Sequence, residues 1–551
     1  MVQAKNEMLS TLPALLRSVG KADDVAVIVA SGSPQLSYAE LHAEVDRVAA
    51  VLRSSFGVAQ GSVVSMAFPN TIELVILFLA VTRARAIAAP LNAAYKEEEF
   101  RFYMEDAGAA CLIIPAKAGG GSAEKAGTTL GIPVVAAEWM TSSESAQALG
   151  LKLVSGAVKG ESSIDDDDGP GPLPEPDDVA LFLHTSGTTS RPKGVPLTHG
   201  NLTASMKNII RTYDLQSTDR TLIVMPLFHV HGLMAALLAT LAAGGTVVLP
   251  AAGRFSATTF WHDIATYGVT WYTAVPTIHQ ILLSHHHRSP LVEYPRLRFI
   301  RSCSSSLPPP VLHSLEEEFK APVLEAYAMT EASHQMTSNP LPEHGGHKPG
   351  SVGRPTGIEL AVIDSDGKML ETGRIGEVCV KGANVTKGYV NNEEANKAAF
   401  TGGWFHTGDR GFLDADGYLM LTGRIKELIN RGGEKISPSE VDNALLSHPA
   451  VSEAVAFAAP DEKYGEVVNA AVVLHPGAVA SSKDIIEHCK TKVAPFKVPA
   501  HVFITDSVPR TGTGKIQRRF VAEKFLKEAQ QQHGPAANPV EASAKSGKDA
   551  S

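Results

Sequence analysis

Between Leu36 and Ala94 the chain alternates two periodicities. LSYAELHAEVDRVAAVLRS, SVVSMAFPN, TIELVILFLAVTRA and AIAAPLN read in turn as helix, strand, helix and strand. This alternation constrains the fold most, because interleaved helices and strands bury their apolar faces together only in a layered α/β architecture. At 551 residues the chain is too long for one core, so several folding units are expected, about one per 150 residues.

Strand-like and helix-like runs continue through TLIVMPLF, VTWYTAVP and RLRFIRSCSSS to about Ala326. From Gly350 to Gly423 the short alternating runs IELAVID, GEVCVKG and GYLMLTG, broken by glycine turns, predict a small β-rich unit over 350–423. A short α/β pattern resumes from Arg424 to about Leu526, with SPSEVDNALLSHPAV as a capped helix. The tract GESSIDDDDGPGPLPEPDD, 160–178, predicts a solvated acidic linker-like loop, and 527–551, almost without apolar residues, predicts a disordered tail.

No charged residue occurs from Gly232 to Gly253, which raises a membrane span, but Gly244 and Gly245 divide it into a buried helix, a turn and a buried strand. No span is expected. MVQAKNEMLSTLPALLRS lacks the long apolar core of a secretory signal and reads as a first helix, so cytoplasm is the default location. The net charge of −9 repels polyanions, and without a basic stripe a nucleic-acid partner is not expected. Cys111, Cys303, Cys379 and Cys489 are scattered without CxxC spacing, which fits buried thiols rather than a thiolate metal site.

The stretch HTSGTTSRPKG, His184 to Gly194, nearly matches a Walker loop, but Pro192 stands where the second glycine belongs and Gly194 where the hydroxyl belongs. Its composition still suits phosphate. Gly187 lets backbone amides face an anion, the hydroxyls of Thr185, Ser186, Thr188 and Thr189 can bond phosphate oxygens, and Lys193 adds a mobile positive charge. An ordinary polar hairpin is the alternative for the loop taken alone.

Four further motifs follow in order: YAMTE (Tyr327 to Glu331), WFHTGD (Trp404 to Asp409), GRIKE (Gly423 to Glu427) and PRTGTGK (Pro509 to Lys515). With TSGTTSRPKG they make the chain resemble the adenylate-forming acyl-CoA synthetase and luciferase superfamily over roughly Leu36 to Phe520. The resemblance implies a large N-terminal domain (1–425) of two α/β subdomains plus a small β-barrel-like subdomain, and a small mobile C-terminal α/β domain (426–526). It also implies a two-step reaction: a carboxylate attacks the α-phosphate of ATP to give an acyl-adenylate and pyrophosphate, then the thiol of coenzyme A displaces AMP.

On this resemblance Glu331, beside Thr330, holds Mg²⁺ on the triphosphate, a task suited to a hard carboxylate. Asp409 accepts from the ribose hydroxyls, with Arg424 as partner near ribose and phosphate. Glu325, Ala326 and Tyr327 fall in the nucleotide site. Lys515, on a glycine loop, is the catalytic lysine of the first step. Lys426 matches the hinge, and Gly432 and Gly433 the stretch approached by the pantetheine arm of CoA.

The acyl group is read from the segments expected to line its pocket, which offer His229, His231, Arg301, Ser302, Ser304, Ser305 and His334. Burying such groups without partners is costly, so the lining implies a short dicarboxylate that brings its own acceptors. HTSGTTSRPKG, SCSSSL, AYAMTEASH and NPLP resemble the oxalate-CoA ligase branch of plants and fungi more than the coumarate ligases, and Ser190, where the superfamily has glycine, points the same way. His229, Ser304 and His334 are the expected oxalate ligands. The expected partners are therefore oxalate, ATP, Mg²⁺ and CoA, with the protein a monomer. The alternatives are 4-coumarate or medium-chain acyl-CoA ligation on the same scaffold and, at greater distance, a metallohydrolase built on HVH and His285 to His287, which lacks a following carboxylate motif.

Overall fold

The computed structural model describes residues 9–118, 121–141, 147–157, 169–185, 192–510 and 516–533. The chain forms two compact units that divide in sequence between Ile425 and Lys426.

The first unit contains two large sheets. One has nine strands, with a parallel centre running Val323–Met329, Phe299–Cys303, Trp271–Ala274, Arg220–Leu222, Thr246–Leu249 and Val25–Val29, and antiparallel strands at its edges. The other has seven, with Val63–Ala67 parallel to Ile87–Leu91 and Ala109–Pro115 at its centre and the hairpin of Val179–His184 and Gly194–Thr198 at one edge. Alternation assigns the faces. Val247 and Leu249 join the core shared by both sheets, whereas Val248 packs into the cluster beneath the helices Phe260–Tyr267, Pro276–Arg288 and Pro309–Phe319.

Helix Ile72–Arg83 lies in that shared core. It is apolar on every face, and Glu73 is its one residue that is not buried, as a helix between two sheets requires. Its neighbour starts as a π-helix, His231–Leu238, continues as Ala239–Ala242, and turns at Gly244 (φ 79°) into the fully buried strand Thr246–Leu249. Gly232 admits no side chain, since a Cβ there would lie 2.5 Å from the Pro226 carbonyl oxygen. Among the described residues no helix is long and apolar enough to cross a membrane.

The β-rich segment is a five-stranded antiparallel sheet with Glu359–Ile363 at one edge and Leu419–Arg424 paired to Trp404–Leu413. Val378, Val380, Phe405 and Leu419 cover their apolar face against Tyr327, Ala332 and Met336.

The acidic run Asp165 to Asp168 lies outside the described residues, and the tract that follows it is held to the first unit. The buried Arg83 donates to the carbonyls of Gly171 and Pro172, and Asp178 pairs with Arg85 at 2.8 Å.

The second unit is a five-stranded sheet centred on Gly465–Leu474, covered by helices Pro438–Leu446, Ser482–Lys490 and Arg518–His533. Ser437 occupies the N-cap of Pro438–Leu446 but makes no side-chain cap bond there, so the helix start is fixed by proline at its first turn. The last helix runs to His533, past the expected end of order at 526. Val521 and Phe525 anchor it, and KEAQQQ contains good helix formers that extend it without apolar content. All four cysteines are free and buried.

Candidate active site

The loop that misses the Walker pattern joins two antiparallel strands rather than a strand and a helix. Its base is closed by a reciprocal pair: the Thr185 N–H donates to the Lys193 carbonyl at 2.9 Å, and the Lys193 N–H donates to Thr185 Oγ1 at 3.2 Å. Ser186, Gly187, Thr188, Thr189 and Ser190 lie outside the described residues. A hairpin connection has no helix dipole behind it.

Lys193 Nζ sits 4.2 Å from the centre of the Tyr389 ring, and the Tyr389 hydroxyl donates to Glu331 Oε1 at 2.8 Å. The backbone sets this cluster. Val390 N–H bonds the Gly194 carbonyl and Thr386 N–H bonds the Glu331 carbonyl, so the segment carrying Tyr389 is tied to both of its partners. Thr330 and Glu331 open a 3₁₀ turn at the end of Val323–Met329. Burial pushes the Glu331 carboxyl above its usual range, while the Tyr389 hydrogen bond and the charges of Lys193 and Arg424 pull it back. Such a buried oxygen donor fits a hard divalent cation.

On the adjoining β-sheet, Asp409 pairs in register with Arg424, and Arg424 Nε lies 3.1 Å from Asp409 Oδ1. The buried Tyr327 hydroxyl donates to Asp409 Oδ2, and Gly408 (φ 73°), inside the strand Trp404–Leu413, holds a left-handed conformation that a side chain would resist.

The polar wall forms where the sheet ends. His231 lies at the start of the π-helix, fully buried. Its Nε2 is 2.6 Å from Thr273 Oγ1, its Nδ1 is 3.1 Å from Ser304 Oγ, and its ring centre is 5.2 Å from that of His334. His231 N–H also donates to His229 Nδ1 at 3.1 Å. Ser304 (φ 75°), Ser333 (φ 49°) and His334 (φ 97°) hold left-handed conformations that non-glycine residues seldom adopt, which concentrates backbone strain at this wall.

Arg301 is 0% exposed. Its guanidinium donates to the Tyr213 hydroxyl at 2.8 Å, Thr273 Oγ1 at 3.0 Å and Gln335 Oε1 at 3.1 Å. Among the described residues it has no carboxylate partner. Ser302 is buried, and Ser305 is exposed and donates to the Ser304 carbonyl.

Not every expected residue joins these clusters through its side chain. Glu325 accepts from the Gly350 N–H at 2.9 Å, and burial pushes its carboxyl up to about 8, so it caps a backbone turn. Ala326 is a buried strand position paired with Cys303. In the second unit, Gly432 (φ 59°) and Gly433 (φ 97°) are the two central residues of a hairpin joining Ile429–Arg431 to Glu434–Ile436, a turn that needs positive φ at both. Lys426 lies in the short turn Ile425–Glu427, and Lys515 lies outside the described residues. His286, in the histidine run, is held by Tyr294 at 2.6 Å and Glu318 at 2.8 Å. Tyr389, Thr273, Tyr213 and Gln335 carry no local motif and escape a reading of the sequence. His231 and Arg301 are recognisable as wall residues, but not as its centre.

The AMP-binding enzyme family matches residues 17–390, and the AMP-binding enzyme C-terminal domain matches 440–515. The chain is 57% identical over 519 residues to an oxalate–CoA ligase of Arabidopsis thaliana, covering 94% of this chain and 99% of that one. It is 43% identical over 526 residues to an oxalate–CoA ligase of Saccharomyces cerevisiae, covering 92% and 96%. The crystal structure of ATP-bound MatB from Rhodopseudomonas palustris superposes with a TM-score of 0.82 at 29% identity, covering 94% of this chain and 99% of that chain.

Proposed function

The chain belongs to the AMP-binding enzyme family, and from that premise we propose that it ligates oxalate to CoA through an oxalyl-adenylate, using ATP and releasing AMP and pyrophosphate. The observation that carries the choice of acid is the charge of Arg301. A fully buried guanidinium with no carboxylate partner among the described residues is costly by several kcal/mol unless an anion offsets it. A dianionic acid that presents one carboxylate to ATP brings the other as that counter-charge, whereas coumarate or an aliphatic acid leaves it uncompensated. The oxalate–CoA ligases among its relatives support the same reading.

In this reading one oxalate carboxylate faces His231, His334 and Ser304, with His229 beside them, and the other faces the α-phosphate. Lys193 and the hydroxyls of the 185–189 loop hold the triphosphate, Asp409 takes the ribose hydroxyls, and Arg424 steadies Asp409. Glu331 would hold Mg²⁺, which when bound supplies charge neutralisation on the phosphates. Tyr389 keeps the Glu331 carboxylate oriented by its hydrogen bond. Lys515 serves the adenylation step, Lys426 is the hinge, and Gly432 and Gly433 adjoin the CoA arm. The protein works as a cytoplasmic monomer.

Pyrophosphate release measured with oxalate, malonate, acetate, 4-coumarate and octanoate tests the assignment. Oxalate should give the highest kcat/KM. A clear win for coumarate or octanoate overturns it.

A further inference from the structure

Behind the polar wall runs a chain of hydrogen bonds with one permitted direction. Arg301 Nη1 is 3.0 Å from Thr273 Oγ1, Thr273 Oγ1 is 2.6 Å from His231 Nε2, and His231 Nδ1 is 3.1 Å from Ser304 Oγ. A guanidinium has no acceptor atom and stays protonated, so the first link runs outward from Arg301 to Thr273.

Thr273 is buried, and the one acceptor for its own hydrogen among the described residues is His231 Nε2. Leaving a buried hydroxyl hydrogen undirected is unfavourable, so Thr273 donates and Nε2 accepts. A neutral imidazole whose Nε2 accepts carries its proton on Nδ1. That N–H meets Ser304 Oγ, and the Ser304 hydrogen is then left to point away from the histidine.

We propose that Arg301, Thr273 and His231 form a positioning relay that fixes the tautomer of His231 and thereby presents Ser304 to the substrate as a hydrogen-bond donor. The opposite tautomer would turn Ser304 around: its hydrogen would go to Nδ1 and its lone pairs would face the incoming carboxylate. The relay therefore selects for an anionic oxygen at this spot. It sits at residues whose backbone is held in uncommon conformations at Ser304 and His334, which limits how far the wall can adjust to a wrong partner. The substrate half of this inference rests on the oxalate reading, and the tautomer half does not.

Thr273→Val keeps the shape of the side chain and removes the link, and Thr273→Ser restores the hydroxyl. The valine variant should raise the oxalate KM about tenfold, from loss of an oriented hydrogen bond, with the ATP KM changed by less than about twofold. The serine variant should return the oxalate KM towards that of the parent. In parallel, ¹⁵N spectra of histidine-labelled protein without substrate, with the His231 signal identified by its loss in His231→Gln, should show the Nδ1–H form in the parent and a larger Nε2–H fraction in Thr273→Val, where Arg301 Nη1, at 3.5 Å, is the weaker donor left to Nε2. An Nε2–H form in the parent overturns the relay, as does an oxalate KM that is unmoved by valine or not rescued by serine. A parent enzyme that turns over another acid but not oxalate defeats the substrate reading, while the spectra still decide the relay.

Discussion

Removing one oxygen atom, in Tyr327→Phe, separates holding the fold from holding the nucleotide. Tyr327 and Asp409 are both buried, and the phenol donates to Asp409 Oδ2. Burial and then the charge of Asp409 push the hydroxyl well above its usual range, so it remains a donor throughout the working pH. Phenylalanine fills the same space, so no cavity term enters, and the cost is that of a hydrogen bond to a charged group, about 1.5–3 kcal/mol. The contact to Arg424 is half exposed and, at no more than about 1 kcal/mol, cannot replace it. A stability loss of about 2 kcal/mol in urea unfolding is expected.

The same change lets Asp409 swing towards Arg424 and away from the position that would receive the ribose hydroxyls. The ATP KM, read from initial rates of pyrophosphate release, should rise about tenfold, which is about 1.4 kcal/mol, while the oxalate KM stays near that of the parent. Stability lost with no change in the ATP KM would make Asp409 purely structural. No change in either would refute the hydrogen-bond reasoning itself.

Two other outcomes follow from the same structure. Glu325 has its carboxyl pushed up to about 8 by burial, from a usual 4.5; its stabilising contribution is full below about pH 4.5 and is lost as pH rises towards 8, because the fold must then keep a proton or bury a charge. Glu325→Gln should therefore flatten the fall in stability between pH 5 and 8 measured by urea unfolding, and a variant with no advantage at pH 8 counts against a carboxyl buried as described. Lys515→Ala should stop pyrophosphate release with oxalate while leaving thioester formation from supplied oxalyl-adenylate largely intact; equal loss in both steps would sink its assignment to adenylation alone.

The sequence by itself determined the α/β class and the motif order, because these rest on local signals. Helix Ile72–Arg83 announces its helical run through LVILFLAV. It also gave the polar character of the acyl wall. It could not rank the wall's members, and it read 527–551 as a tail although the last helix runs to His533, because the final turns carry little apolar periodicity.

The tertiary structure alone decided which distant side chains meet. Lys193, Glu331 and Tyr389 come from separate parts of the chain, as do Tyr213, His231, Thr273, the neighbours Arg301 and Ser304, and Gln335, and no spacing rule joins them. Parallel pairing sets Thr273 beside Arg301, since crossover connections place residues far apart in sequence at the same end of one sheet. The direction of a hydrogen-bond chain is likewise invisible until its donors and acceptors stand in contact.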